Sequence, residues 1–181
     1  METMNDFMNE ERFNSISTEN KNFICDFTKQ MNSFGYDFDG KIGSGYCWGK
    51  YMVIYSKTGV KNKKVIARIF IRDNDVIIFG GREIKYSNSI VLRLFFSRID
   101  KHESYIENAP SHIKKPFMDE HGLCGHCKED CRSYRKTYTI NGKKIEKCAG
   151  IVFEFHDPKV EYIQDYMDIL KEFYGKKTPK K

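Results

Sequence analysis

The chain has 181 residues, 40% of them hydrophobic, 14% aromatic and 31% charged, with a formal net charge of +6; that is enough apolar material for a packed interior of ordinary domain size. No apolar run approaches the ~20 residues that a membrane-spanning helix needs. Four of the positive charges are the tail lysines Lys176, Lys177, Lys180 and Lys181, so six less four leaves +2 on the rest, which argues against a body held to nucleic acid mainly by phosphate neutralisation.

Residues 1–16 are polar, rich in Met, Asn and Glu, and show no clear period, so they read as a mobile arm or a frayed helix. The opening Met-Glu-Thr-Met-Asn-Asp lacks the basic and apolar leader of a secretory signal, which makes a reducing cytosol the default compartment. From Ser17 or Thr18, Phe23, Ile24, Phe27, Met31 and Phe34 fall at helical spacing, with Gly35 as the stop. Cys25 on this helix reads as a small packing residue.

A strand-rich stretch follows. Gly43-Ser-Gly45 is too short for a phosphate loop, and Tyr46, Trp48 and Tyr51 beside it are candidates for the aromatic edge of a pocket; the competing reading is core packing at a glycine-rich strand entry. Tyr51–Tyr55 and Lys64–Arg72 are β-branched and aromatic, and Asp73-Asn74-Asp75 turns the chain into Val76–Phe79, so an antiparallel meander is expected. Ile90–Phe96 alternates as a fourth strand, although it also fits a helix. Asp100 then starts a helix ended by Ala109-Pro110, and Ser111 starts a shorter one reaching Pro116.

Cys124, Cys127, Cys131 and Cys148 follow, spaced C-x2-C-x3-C-x16-C. Gly125-His126 makes a turn short enough for two thiolates to occupy neighbouring corners of a tetrahedron. Cys148 would return along a hairpin, because Tyr134–Ile140 and Lys143–Lys147 flank Asn141-Gly142, a dipeptide suited to the two positive φ angles of a type I′ turn. These four residues are the expected ligands of one structural zinc, a clip over 121–150. Four thiolates and one zinc carry −2, and from Lys128 to Lys147 seven basic residues against three acidic ones supply a local +4 that suits such a site. Counted with the body's +2, the zinc thiolates would bring it to neutrality.

Other chemistry fits the same cysteines. An iron–sulfur cluster is the strongest rival, although the spacing lacks the C-x2-C-x2-C-x3-C-P run of bacterial ferredoxins. Cys124-Gly-His-Cys127 has the form of a redox dithiol but does not follow an early strand and open a helix. His121 and His126 are near enough to replace a cysteine or to hydrogen-bond a thiolate, whereas His102, His112 and His156 read as surface or capping residues.

After the clip, Gly150–Phe155 reads as a strand and Asp157-Pro158 as a helix start, with Asp as N-cap. Val160, Ile163, Met167, Leu170 and Tyr174 then repeat at three and four residues up to Gly175, which is a core-facing stripe. The chain is thus expected to hold a single α+β domain over 17–175, an antiparallel meander with flanking helices and a zinc-clipped hairpin, followed by a basic tail, 176–181.

Tyr105-Ile-Glu-Asn-Ala-Pro110, the cysteines, Tyr138-Thr-Ile-Asn-Gly142, Lys147-Cys-Ala-Gly150 and Phe153-Glu-Phe155 resemble a group of small, uncharacterised bacterial proteins with an α+β body and a cysteine-rich C-terminal insert. The resemblance implies a cytoplasmic bacterial setting and brings no activity with it. No nucleophile elbow, Walker loop, zinc-protease helix or dinucleotide fingerprint is present, so no catalytic residue is assigned. The leading expectation is a zinc-stabilised module that binds a small molecule or a protein. The alternatives are a nucleic-acid-binding zinc protein using Arg132, Arg135, Lys136, Lys143, Lys144 and the tail, with Tyr134 and Tyr138 stacking on bases, and a thiol-redox or iron–sulfur protein.

Overall fold

The structure, a computed structural model, describes residues 3–38, 40–57, 61–72, 76–79, 81–86, 89–118, 135–148 and 152–175. In chain order the elements are α1 (Met4–Met8), α2 (Thr18–Ser33), β1 (Asp37–Phe38), β2 (Gly43–Ser44), β3 (Tyr51–Ser56), β4 (Val65–Ile71), β5 (Val76–Phe79), β6 (Arg82–Lys85) and β7 (Ile90–Phe95). Then come α3 (Glu103–Asn108), α4 (Ser111–Met118), β8 (Arg135–Ile140), β9 (Lys143–Cys148), β10 (Val152–His156) and α5 (Ile163–Tyr174). This is an α+β fold with an antiparallel sheet and flanking helices. Where one domain was expected, the chain divides into two compact units, Met1–Leu94 with Glu154–Ile163, and Phe95–Phe153 with Gln164–Lys181.

In the first unit the main sheet runs β1-β3-β4-β7-β10, with β2 also paired to β3. Tyr55 pairs with Ala67 and Ala67 with Leu94; Val53 pairs with Ile69 and Ile69 with Leu92. Because side chains alternate across a strand, these residues share one face, and α2 covers it. The helix starts where Ser17 Oγ accepts the Asn20 N–H at 3.2 Å and stops at Gly35, whose φ of +83° suits glycine. Phe23, Ile24, Phe27 and Met31 are fully buried, each contributing roughly 1.5–3 kcal/mol of transfer free energy. Tyr55 stands edge-on to Phe27 at 5.4 Å. Its hydroxyl lies 2.7 Å from that of Thr28, which in turn donates to the Ile24 carbonyl at 2.6 Å, so the polar tip of a buried tyrosine is satisfied within the core.

Residues 3–16 belong to this core instead of forming an arm. Thr3 and Asp6 close a capping box on α1, a 3-10 turn follows over Glu11–Phe13, and the fully buried Phe13 packs on Tyr51 at 5.1 Å. Two pieces of five and three residues are too short to display a period, which is why the pattern was silent. The meander also ends sooner than expected. The neighbour of β4 is β7, while β5 and β6 make a separate hairpin through Gly81, with φ +76°. Val76 and Ile78, which share one face of β5, are 45% and 77% exposed, so that face does not pack into the core.

The second unit gathers Phe96, Phe117, Phe153 and Phe173, with Phe117 stacked on Phe153 at 4.2 Å and Phe96 tilted against Phe173 at 4.3 Å. The β8–β9 hairpin turns at Asn141-Gly142, both at positive φ, +52° and +69°, as a type I′ turn requires. Protein groups hold it in place. Lys147 Nζ donates to the Pro116 carbonyl at 2.9 Å and Tyr138 Oη to the Phe117 carbonyl at 2.6 Å, while Glu107 accepts the Asn141 N–H at 2.6 Å. The first two bonds satisfy carbonyls that the end of α4 leaves without helical partners. α5 begins after Lys159 and a 3-10 turn over Val160–Tyr162, later than the Asp157-Pro158 start. Asp157 has φ +46° and its carboxylate accepts the Ser89 N–H at 3.3 Å, so it is committed to the start of β7 and does not cap the helix.

Candidate ligand-binding face

A tight turn over Gly45–Gly49 enters β3. Trp48 N–H donates to the Gly45 carbonyl at 3.1 Å and Lys50 N–H to that of Ile71 at 2.8 Å. A side chain at Gly45 would overlap the Gly49 carbonyl, so glycine is needed there. Two residues clamp the turn from outside: Arg72 Nε donates to the Trp48 carbonyl at 2.7 Å, and Tyr86 Oη donates to that of Cys47. The Arg72 guanidinium lies 4.2 Å from the Tyr86 ring centre. Thus fixed, Tyr46 and Trp48 remain 56% and 39% exposed.

Behind the indole lies the sheet face opposite α2. Trp48 rests on Phe70 with ring centres 5.9 Å apart. The Arg93 guanidinium lies 4.5 Å from the Phe70 centre and 4.9 Å from that of Trp48, a cation–π arrangement that fixes its plane. Arg93 donates to Glu154 Oε1 through Nε at 2.8 Å and through Nη2. Its register partner on β4 is Arg68, so two guanidiniums lie side by side on one face. Burial and the Arg93 charge both push the Arg68 pKa down, and burial does the same to Arg72. Arginine keeps its proton nonetheless, and among the described residues the Glu154 and Asp157 carboxylates act on Arg72 in the opposite direction.

The three aromatic residues singled out in the sequence do not form one surface. Trp48 lies against Phe70, whereas Tyr51 pairs with Ile71 and packs on Phe13 on the α2 side. Tyr46 stays with Trp48 on the exposed turn. The arginines and Glu154 escaped sequence reading because each sits alone in an apolar strand; the interruption of Ile66–Ile71 by Arg68 and of Ile90–Phe95 by Arg93 was the available signal.

Cys124, Cys127, Cys131, Arg132 and Tyr134 lie outside the described residues, as do the histidines His121 and His126. Arg135 and Lys136 belong to β8 and Cys148 ends β9, with Cys148 the register partner of Arg135. Among the described residues no group of His, Cys, Asp and Glu is arranged to hold a metal, and Cys25 and Cys47 are free thiols, Cys25 buried as expected. Tyr138 is 3% exposed and bonded to Phe117, which removes it as a base-stacking surface. No helix among the described residues is long and apolar enough to cross a membrane.

The second unit carries a cleft of about 580 Å³ lined by Lys101, His102 and Tyr105 together with Asp165, Asp168 and Glu172 of α5. His102 Nδ1 lies 2.7 Å from Glu172 and its ring lies tilted against Phe173 at 3.9 Å; His112 Nε2 lies 2.9 Å from Asp165. These histidines tie helices together instead of standing at the surface. Burial, and then the α5 carboxylates, push the Tyr105 hydroxyl pKa up.

No known protein family, curated protein or solved structure matches this chain.

Proposed function

We propose that the protein is a zinc-stabilised binding module whose metal is structural and whose ligand is a small molecule taken at the Trp48 face. The observation that carries this reading is the combination of an exposed indole, a turn clamped at two carbonyls, and the Arg93 guanidinium against the indole. Large apolar side chains are held in water at a defined geometry where a partner is to cover them, and pre-ordering them lowers the entropic cost of binding. The zinc would be held by Cys124, Cys127, Cys131 and Cys148. Its support is the cysteine spacing together with the β8–β9 register, which sets Cys148 opposite a position four residues beyond Cys131. Four thiolates make a closed site suited to structure, and they require the reducing, cytoplasmic setting that the sequence suggests.

Calorimetric titration of the full chain against a panel of small molecules, cationic, neutral and anionic, tests the binding role. At least one should bind saturably and lose its heat signal in Trp48→Ala. A panel without binders, or binding indifferent to Trp48, would refute it.

A further inference from the structure

We infer that the Trp48 face takes an anion joined to a flat ring, a carboxylate or phosphate met by Arg68 and Arg93 with the ring laid on the indole. This rests on the binding role proposed above and specifies its chemistry. Three observations lead to it. Directly opposed residues on neighbouring strands are normally unlike in charge, because like charges there cost stability, yet Arg68 and Arg93 are register partners. Glu154 meets Arg93 through a single oxygen, Oε1, which receives both the Nε and the Nη2 bond, so the planar fork is not taken up by both oxygens of one carboxylate. Finally, the Arg93 guanidinium lies against both the Phe70 and the Trp48 rings, which touch each other, so it is held in place before any ligand arrives, and a planar fork of N–H donors matches a carboxylate or phosphate. Trp48, 39% exposed, offers the flat apolar surface beside that fork.

The sequence contains one tryptophan, so emission excited in the indole band reports this site alone. Titrations of the full chain, zinc-replete and under reducing conditions, would use phenyl phosphate, benzoate, neutral benzamide and inorganic phosphate. We expect a saturable change with phenyl phosphate or benzoate, and affinities at least about tenfold weaker for benzamide and for inorganic phosphate, since each lacks one half of the recognised group. The tighter of the first two assigns the anion as phosphate or carboxylate. Arg68→Gln should weaken binding by about tenfold or more without lowering the unfolding midpoint, and Arg68→Lys should restore only part, having charge without the fork. Benzamide binding as tightly as benzoate would overturn the inference while leaving a binding site for neutral rings. Unchanged affinity in Arg68→Gln would overturn it too, as would no response to either aromatic anion; in that last case the calorimetric panel, which carries cations and neutral molecules, decides separately whether the face binds anything.

Discussion

Arg68 on β4 and Arg93 on β7 are register partners, two guanidiniums set side by side on a sheet face that the strand pattern otherwise fills with Phe70, Ile66 and Val91. An arrangement chosen for stability alone would place an opposite charge or an apolar residue at one of these positions. Arg68→Gln should therefore leave the protein as stable as the wild type or more so, by up to about 1 kcal/mol. Urea unfolding measures this. A loss larger than that would mean that packing of the Arg68 side chain outweighs the repulsion.

Glu154 behaves differently, because it partners an arginine whose side chain is 9% exposed. Glu154→Gln keeps the shape and removes the charge, leaving Arg93 largely buried without its carboxylate. Glu154 is itself 29% exposed and water can partly substitute, so a cost of about 1–3 kcal/mol is expected, below the range for a fully buried pair. Urea unfolding of Glu154→Gln beside Glu154→Ala separates loss of charge from loss of packing, and an unchanged midpoint in both would contradict the pairing.

The fold was legible where its cause is local. α2 follows from apolar spacing between Ser17 and Gly35, and the β8–β9 turn from Asn141-Gly142, whose φ angles are both positive. It was not legible where partners are distant in sequence. Nothing near Arg93 announces Glu154, and nothing in Val76–Phe79 says that β4 will skip it to pair with β7. Asp157-Pro158 shows a local signal overridden: the side chain that would cap a helix accepts the Ser89 N–H instead. At the site, Trp48 and Tyr46 could be picked out as aromatic residues beside glycines. That Tyr51 points to the other side of the sheet follows from strand alternation, once the strand is known to be buried on the α2 face.

Tyr55 supplies a pH dependence. Burial, opposed only in part by the Thr28 hydroxyl, pushes its pKa far above the ordinary value, so the unfolded chain releases this proton first. Its contribution is fully present below the unfolded tyrosine pKa of about 10 and is lost as pH rises above it. Stability measured between pH 9 and 11 should fall, and Tyr55→Phe should flatten that fall while costing about 1 kcal/mol at neutral pH. An identical alkaline slope in the variant would contradict this assignment.

Nucleic-acid binding should be weak, nonspecific and steeply salt-dependent, and it should drop when Lys176, Lys177, Lys180 and Lys181 are removed. Titration of intact and tail-deleted protein with single-stranded and duplex oligonucleotides at low and physiological salt checks this. Tight, sequence-selective binding that survives both changes would restore the nucleic-acid alternative and turn attention to Arg132, Arg135 and Lys136.

A structural zinc at Cys124, Cys127, Cys131 and Cys148 is tested most directly by elemental analysis of the chain purified under reducing, anaerobic conditions, alongside the Cys148→Ser variant. We predict close to one zinc per chain, lost in Cys148→Ser and kept in Cys25→Ser and Cys47→Ser, because those two cysteines lie far upstream of the expected ligands in the sequence. The hairpin keeps its bonds to Pro116, Phe117 and Glu107, so metal loss should cost well under the ~10–16 kcal/mol of an isolated zinc-finger peptide. Iron with sulfide, or a metal-free protein of unchanged stability, would contradict the zinc-stabilised module.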